Sequence, residues 1–259
     1  MSEHTAVSAA LASAGCVASD EEATELIEAS CGDGEVLAQF VRRRVSGEPT
    51  AWIVGEVRFC GVSVKVSPGV YVPRWHTEPL VERAVELLPD EGIAIDVCTG
   101  SGAIPAVLRA RRAAARVVAT DSDPVAVACA RANGVETYLG DLTAPVPGAL
   151  AGHVDVLIGV VPYVPREALH LLARDVLAFE PRGALDGGPG GTRHLVRAAR
   201  EAPRWLRPGG VLLLELGGSQ GDEMVEVCGR LGYEAVSILA DLDGDTRAVE
   251  AHLAARCVS

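Results

Sequence analysis

From Gly92 onward, short apolar runs alternate with helical stretches. The runs fall at 93–97, 116–120, 135–139, 154–160, 211–216, 235–239 and 247–253. A run such as Val-Asp-Val-Leu-Ile-Gly-Val is too continuously apolar for a strand with one wet face, so it suits a strand buried on both. Strands covered on both faces, with helices between most of them, imply a doubly wound α/β sheet of seven strands. Ahead of it the pattern changes. Residues 5–15, 20–31 and about 35–45 read as helices, the last with Val36, Leu37, Phe40 and Val41 on one side. The second opens with Ser19 and Glu22 at capping-box spacing. Across 52–72 the residues Val57, Phe59, Val62, Val64 and Val66 approximate period two around Cys60-Gly61, which predicts a hairpin, and Pro73 starts a helix through Leu88. The expected division is a helical segment at 1–50, a β-hairpin linker at 51–75 and a catalytic domain at 76–259.

The 259 residues suit one such domain plus a small accessory segment. Nearly half of them are apolar and few are aromatic, so the core is mainly Val, Leu and Ala. A formal charge of −12 argues against broad electrostatic binding to nucleic acid or an anionic membrane. The seven cysteines are scattered with no Cys-x-x-Cys pair, which predicts free thiols in a reducing cytoplasm and no metal site. Ser13-Ala14-Gly15-Cys16 faintly matches a lipid-attachment site, but Glu3 and His4 stand where a basic leader is needed. The run 211–214 is ended by Glu215 and is far too short to span a bilayer.

Asp96-Val97-Cys98-Thr99-Gly100-Ser101-Gly102 follows the first strand of the sheet. Its glycines let the backbone turn tightly and approach a ligand, beside the free N–H groups of the next helix start. Asp121, with Ser122 after it, ends the second strand, where a carboxylate can hold both hydroxyls of a ribose. Gly140-Asp141-Leu142 ends the third, where a carboxylate can meet an adenine amino group. A dinucleotide fold begins in a similar way. However, its third glycine falls at position 105, where Pro105 stands, and a proline ring spoils the close helix–strand packing which that glycine allows. A pyrophosphate cradle, and with it a dehydrogenase, is therefore disfavoured.

With these motifs the chain resembles the release-factor glutamine methyltransferases, HemK/PrmC, from about Val41 to His252. The resemblance runs through Arg42-Arg43-Arg44, Gly47-Glu48-Pro49, Ile53-Val54-Gly55, Phe59-Cys60-Gly61, Val70-Tyr71-Val72-Pro73-Arg74 and Thr77-Glu78. It continues through 96–104, Glu180-Pro181, Ala184-Leu185, Gly187-Gly188 and Asp241-Leu242 with Gly244 and Arg247. It implies a Rossmann-like class I methyltransferase sheet that binds S-adenosyl-L-methionine and releases S-adenosyl-L-homocysteine. By the resemblance, Asp96, Thr99 and the Gly100, Ser101, Gly102 loop wrap the methionine part and ribose. Asp121 binds the ribose hydroxyls, Asp141 and Leu142 flank the adenine, and Pro162 and Tyr163 shape the methyl-transfer pocket. Three features depart from the family. The sequence at 158–163 is Ile-Gly-Val-Val-Pro-Tyr, so Val160 and Val161 replace the first half of Asn-Pro-Pro-Tyr. Trp75-His76 stands where Pro-Glu is usual. The helical segment before Arg42 is shorter than the family's domain that meets the release factor.

The family's asparagine orients a glutamine amide, and a valine neither donates nor accepts. This suggests a changed acceptor. A guanidinium is also flat and ends in NH2 but wants carboxylates. Glu21, Glu25 and Glu28 recur at helical spacing, and Glu180 and Asp186 flank the segment after the catalytic loop. Trp75 offers a stacking platform for a planar cation. The expected activity is N-methylation of a small cationic nitrogen compound such as free arginine, in specialised biosynthesis. The catalytic set would be Pro162, Tyr163 and Glu180, and the substrate set Glu21, Glu25, Glu28, Trp75, Val160 and Asp186. A homodimer is compatible with this reading, with no nucleic-acid or membrane partner. Two alternatives stay open: a protein-(glutamine-N5) methyltransferase that tolerates Val160, and a cofactor-binding regulatory protein without catalysis. A row of helical glutamates is also the usual mark of a solvated face.

Overall fold

The computed structural model describes residues 2–241 and 243–255, with the backbone alone for Arg174. Leu242 and Cys257 lie outside the described residues. Three helices open the chain, α1 (Glu3–Ser13), α2 (Ser19–Ala29) and α3 (Gly34–Val45). Val7, Leu11, Ala23, Leu26 and Leu37 meet Ile53 in a small core of their own. Asp33 caps α3 by accepting from the N–H groups of Glu35 and Val36. The Ser19–Glu22 capping box does not form. Ala18 takes the N-cap position, and Glu22 is drawn to the buried Arg44 of α3, 2.8 Å away.

Trp52 belongs not to the hairpin but to a one-turn helix, α4 (Thr50–Val54), and donates its indole N–H to the Val70 carbonyl at 2.9 Å. The hairpin itself is β1 (Glu56–Phe59) and β2 (Val62–Lys65). Its turn residues Cys60 and Gly61 have φ of +46° and +77°, as a tight two-residue hairpin turn requires. Pro73 does not start the next helix. A 3-10 turn at Trp75–Thr77 intervenes, and α5 (Glu78–Leu87) begins after it with Pro79 in its first turn, where no helical N–H bond is lost.

The large sheet comprises β3 (Ile93–Val97), β4 (Arg116–Asp121), β5 (Glu136–Leu139), β6 (Val154–Gly159), β7 (Leu206–Glu215), β8 (Tyr233–Ala240) and β9 (Thr246–Leu253). Their order is β5-β4-β3-β6-β7-β9-β8. The first five in that order run parallel, and β9 is antiparallel to both its neighbours. Helices α6 (Ala103–Arg111), α7 (Pro124–Ala132), α8 (Arg174–Phe179), α9 (Arg193–Glu201) and α10 (Gln220–Arg230) complete the fold. Adjacent strand residues feed opposite cores. Ile95, Leu157 and Leu212 pack with Leu195 and Met224 on one face, whereas Ala94, Ile158 and Leu213 pack with Val81 and Val107 on the other. This two-sided burial is why the strands read as unbroken apolar runs. The connections leave β3 in one direction and β6 in the other, so the carboxyl ends of these two strands form the switch point where such sheets bind ligands. Among the described residues, no helix is long and apolar enough to cross a membrane.

Candidate active site

At this switch point lies a cleft of about 150 Å³, lined by Tyr71, Cys98, Gly100, Asp121, Ser122, Val160 and Pro162 among others. The cleft continues into a second recess walled by Phe59, Pro73, Arg74, Thr77, Thr99 and Ser101, with Tyr71, Cys98, Gly100 and Val160 shared between the two.

The loop after β3 builds one side. Cys98, Gly100 and Gly102 take φ of +59°, +56° and +79°. Glycine adopts this at no steric cost, and Cys98 bears a strain of about 1 kcal/mol. The turn brings the Gly100 N–H to Asp121 Oδ2 at 2.9 Å, while the Asp123 N–H donates to Oδ1 at 2.9 Å. The Asp121 carboxylate is thereby fixed at the cleft wall with lone pairs to spare. Burial raises its pKa, against the pull of these backbone donors. Gly102 packs where a Cβ would lie 3.0 Å from Ala130 Cβ and Val135 Cγ2. Pro105 sits in the first turn of α6, whose N–H groups have no helical acceptor to lose.

Asp96 is fully buried, and neither of its carboxylate oxygens has a hydrogen-bond partner. Thr99 Oγ1, Ser101 Oγ and Thr120 Oγ1 also lack one. Burial pushes the Asp96 pKa up to about 8; the nearby Thr99 hydroxyl opposes the rise, and the charge of Asp121 adds to it. Each such orphaned group costs roughly 1–3 kcal/mol. A ligand carrying an ammonium group and ribose hydroxyls answers this donor and acceptor set, and S-adenosylmethionine carries both.

The opposite wall of the cleft follows β6. Val160 faces the junction of the two recesses, and Val161 turns into the core. Tyr163 donates its hydroxyl to Glu215 Oε1 at 2.9 Å, and Thr77 donates to Glu215 Oε2 at 2.5 Å. The backbone here is pinned from outside. Gln220 Nε2 donates to the Tyr163 carbonyl at 2.7 Å, and Val164 N–H to the Leu185 carbonyl at 3.0 Å. Gly187 passes so close that a Cβ would stand 2.8 Å from the Pro162 carbonyl oxygen. This wall of the cleft is therefore apolar, on a backbone held by hydrogen bonds and close packing.

Several residues expected at the site are elsewhere. Glu21, Glu25 and Glu28 are exposed on α2 and line no part of the cleft, because the apolar side of that helix faces inward. Trp75 is 75 % exposed, and it is its neighbours Arg74 and Thr77 that line the second recess. Glu180 is buried but paired with Arg74, whose guanidinium also lies 5.2 Å over the Tyr71 ring. Burial raises the Glu180 pKa, and Arg74 opposes that rise. Asp186 is occupied by Arg166 at 3.1 Å and the Gly188 N–H at 2.9 Å, which hold its pKa below the usual carboxylate range. Asp141 pairs with Arg197 at 2.8 Å on the surface, and Leu142 packs in the core, so neither lines the cleft. Tyr71, Cys98, Thr77 and Glu215 line or brace the site and were not singled out from the sequence. Tyr71, Cys98 and Thr77 stood within the motifs shared with the family, and Glu215 left its own signal, a lone charge closing a buried apolar strand. No group of three or more His, Cys, Asp or Glu among the described residues could hold a metal ion.

No protein-family model matches the chain. It is 34 % identical over 216 residues to the release factor glutamine methyltransferase of Geobacter sulfurreducens, covering 81 % of this chain and 75 % of that protein. It is 38 % identical over 232 residues to the protein of the same name from Cereibacter sphaeroides, covering 85 % and 81 %. The crystal structure of ribosomal protein L11 methylase from Lactobacillus delbrueckii subsp. bulgaricus shares the fold, with a TM-score of 0.52 at 14 % identity over 73 % of this chain and 85 % of that one. The relatives overturn the expected small cationic acceptor and small-molecule partner, since both are named for the glutamine of a release factor. The dispersal of the acidic residues removes the physical ground for that expectation. The chain is an S-adenosylmethionine-dependent methyltransferase of Rossmann-like fold, and it belongs to the release factor glutamine methyltransferase family.

Proposed function

We propose that this enzyme methylates the side-chain amide nitrogen of a glutamine in a protein, a release factor by the names of its relatives. The observation that carries this is 34–38 % identity over three-quarters or more of those relatives. In this reading Asp96 receives the cofactor's ammonium group, Asp121 and Ser122 receive the ribose, and the Thr99–Gly102 loop closes over them. When bound, the cofactor supplies an electrophilic sulfonium methyl. The protein's task is to align an amide nitrogen with that methyl and to keep water out. Pro162 and Tyr163 shape the acceptor pocket. Val160 contributes an apolar wall, so no carboxamide side chain holds the amide at this position. The N-methylated amide cation is strongly acidic and loses its proton without a dedicated base. A translation factor as acceptor places the reaction in the cytoplasm.

Incubation with methyl-labelled cofactor and a release factor tests the reading, with a glutamine-substituted release factor and free arginine as comparisons. Label is expected in the intact release factor alone. Label in arginine, or in the glutamine-substituted factor to the same extent, would refute it.

A further inference from the structure

We propose that Glu215 is a positioning residue for methyl transfer: its buried carboxylate, held by Thr77, fixes the Tyr163 ring at the acceptor end of the cleft. The identity of the acceptor rests on the functional reading above; the geometry does not.

Glu215 is the last residue of β7, and its side chain is 1 % exposed. A buried carboxylate is expensive unless its oxygens are satisfied. No arginine or lysine among the described residues pairs with it. Its one basic neighbour within pairing distance among the described residues is His76, at 3.5 Å. Two hydroxyls satisfy it instead, one on each oxygen. Thr77 comes from the 3-10 turn beyond the hairpin, and Tyr163 from the loop after β6. Each adjoins the cleft: Thr77 lines the second recess, and Pro162, next to Tyr163, lines the first. Glu215 thus joins the two walls between which the acceptor must enter.

Tyr163 is held at both ends. Gln220 fixes its carbonyl, and Glu215 is the partner of its hydroxyl. The ring has little freedom left between them, with Gly217 approaching it where a Cβ would be 3.7 Å from Tyr163 Cε2. Burial and the adjacent carboxylate raise the phenol's pKa, so its hydroxyl remains a donor. An apolar residue at 215 would fill the space but leave the hydroxyl free to turn. When catalysis is chiefly alignment, a shift of about 1 Å costs on the order of 100-fold in rate.

The test uses Glu215→Gln, Tyr163→Phe and the double variant in the full chain. Glu215→Gln is expected to lower kcat on the release factor roughly 10- to 100-fold. Cofactor Kd and acceptor KM should stay within about threefold, a split that general loosening of the fold would not give. If Glu215 acts through Tyr163, the double variant is no more than about threefold worse than the poorer single one. Multiplying losses, or an unchanged kcat, would overturn the proposal. A second readout needs no acceptor. In fluorotyrosine-labelled protein the Tyr163 resonance, assigned by its loss in Tyr163→Phe, should shift and broaden in Glu215→Gln. An unmoved line overturns the proposal even if Glu215→Gln turns over too slowly to measure. A moved line with no turnover by the wild type refutes the acceptor reading alone. Should Glu215→Gln fail to fold, Thr77→Val removes the other anchor and is expected to move the same line; an unmoved line there overturns the proposal.

Discussion

Installing an asparagine at position 160 should raise the rate on a protein glutamine. Val160 is half-buried where the two recesses meet, with Tyr71, Cys98 and Gly100 on the shared walls. A carboxamide there would offer an amide one acceptor and one donor inside a desolvated cleft. A paired bond in such a place is worth roughly 1–3 kcal/mol. At about 1.4 kcal/mol per factor of ten, kcat/KM should rise roughly 5- to 150-fold. The gain should fall mainly on kcat, because the bond serves alignment in the transition state. Asparagine and valine are close in volume, so overpacking is not expected. The half-exposed carboxamide can be solvated in the free enzyme, and a cost below about 1 kcal/mol would appear as a fall in Tm of no more than about 2–4 °C. The assay is the initial rate of methyl transfer to a release factor at saturating cofactor. Val160→Ala, which enlarges the pocket without adding a polar group, is the control and should show no gain. A Val160→Asn enzyme that binds cofactor normally but is no faster than the wild type would refute the reasoning.

Four further outcomes follow from the site and its loops. Asp96 holds a proton up to about pH 8, and a cofactor ammonium needs the carboxylate, so cofactor affinity by calorimetry should rise from pH 6 to 8 and flatten in Asp96→Asn. The same raised pKa means that the native cofactor-free protein binds a proton that the unfolded chain releases, so its Tm should fall as pH climbs from about 4 through 8. Arg74→Ala strands the buried Glu180 carboxylate and should cost about 3 kcal/mol, a loss of roughly 6–12 °C in Tm that Glu180→Gln partly restores. Gly191→Ala should destabilise by more than about 4 kcal/mol on denaturant titration, because φ is +77° there and a Cβ would overlap the Tyr163 carbonyl oxygen.

The strands were legible because two-sided burial leaves continuous apolar runs, and β3 falls where the pattern placed it. The start of β7 was not, since Arg207-Pro208-Gly209-Gly210 carries no apolar signal although Leu206 pairs with Val154. The loop after β3 was legible as a wall of the cleft because its glycines and Asp121 follow strand ends at fixed spacing. The acceptor side was not, because it depends on partners far apart in the chain. Glu215 acquires its role from Thr77 and Tyr163, 138 and 52 positions away. Asp141 is taken from the cleft by Arg197, 56 positions on. Helical spacing placed Glu21, Glu25 and Glu28 on one face correctly, but spacing does not say which way that face points.

The account stands on an amide nitrogen being methylated without an asparagine to hold it. Tandem mass spectrometry of a release factor incubated with the wild-type enzyme and S-adenosylmethionine tests this most directly. A single added methyl on one glutamine side chain is the predicted result. An unmodified factor, with the enzyme folded and cofactor-bound, would contradict it.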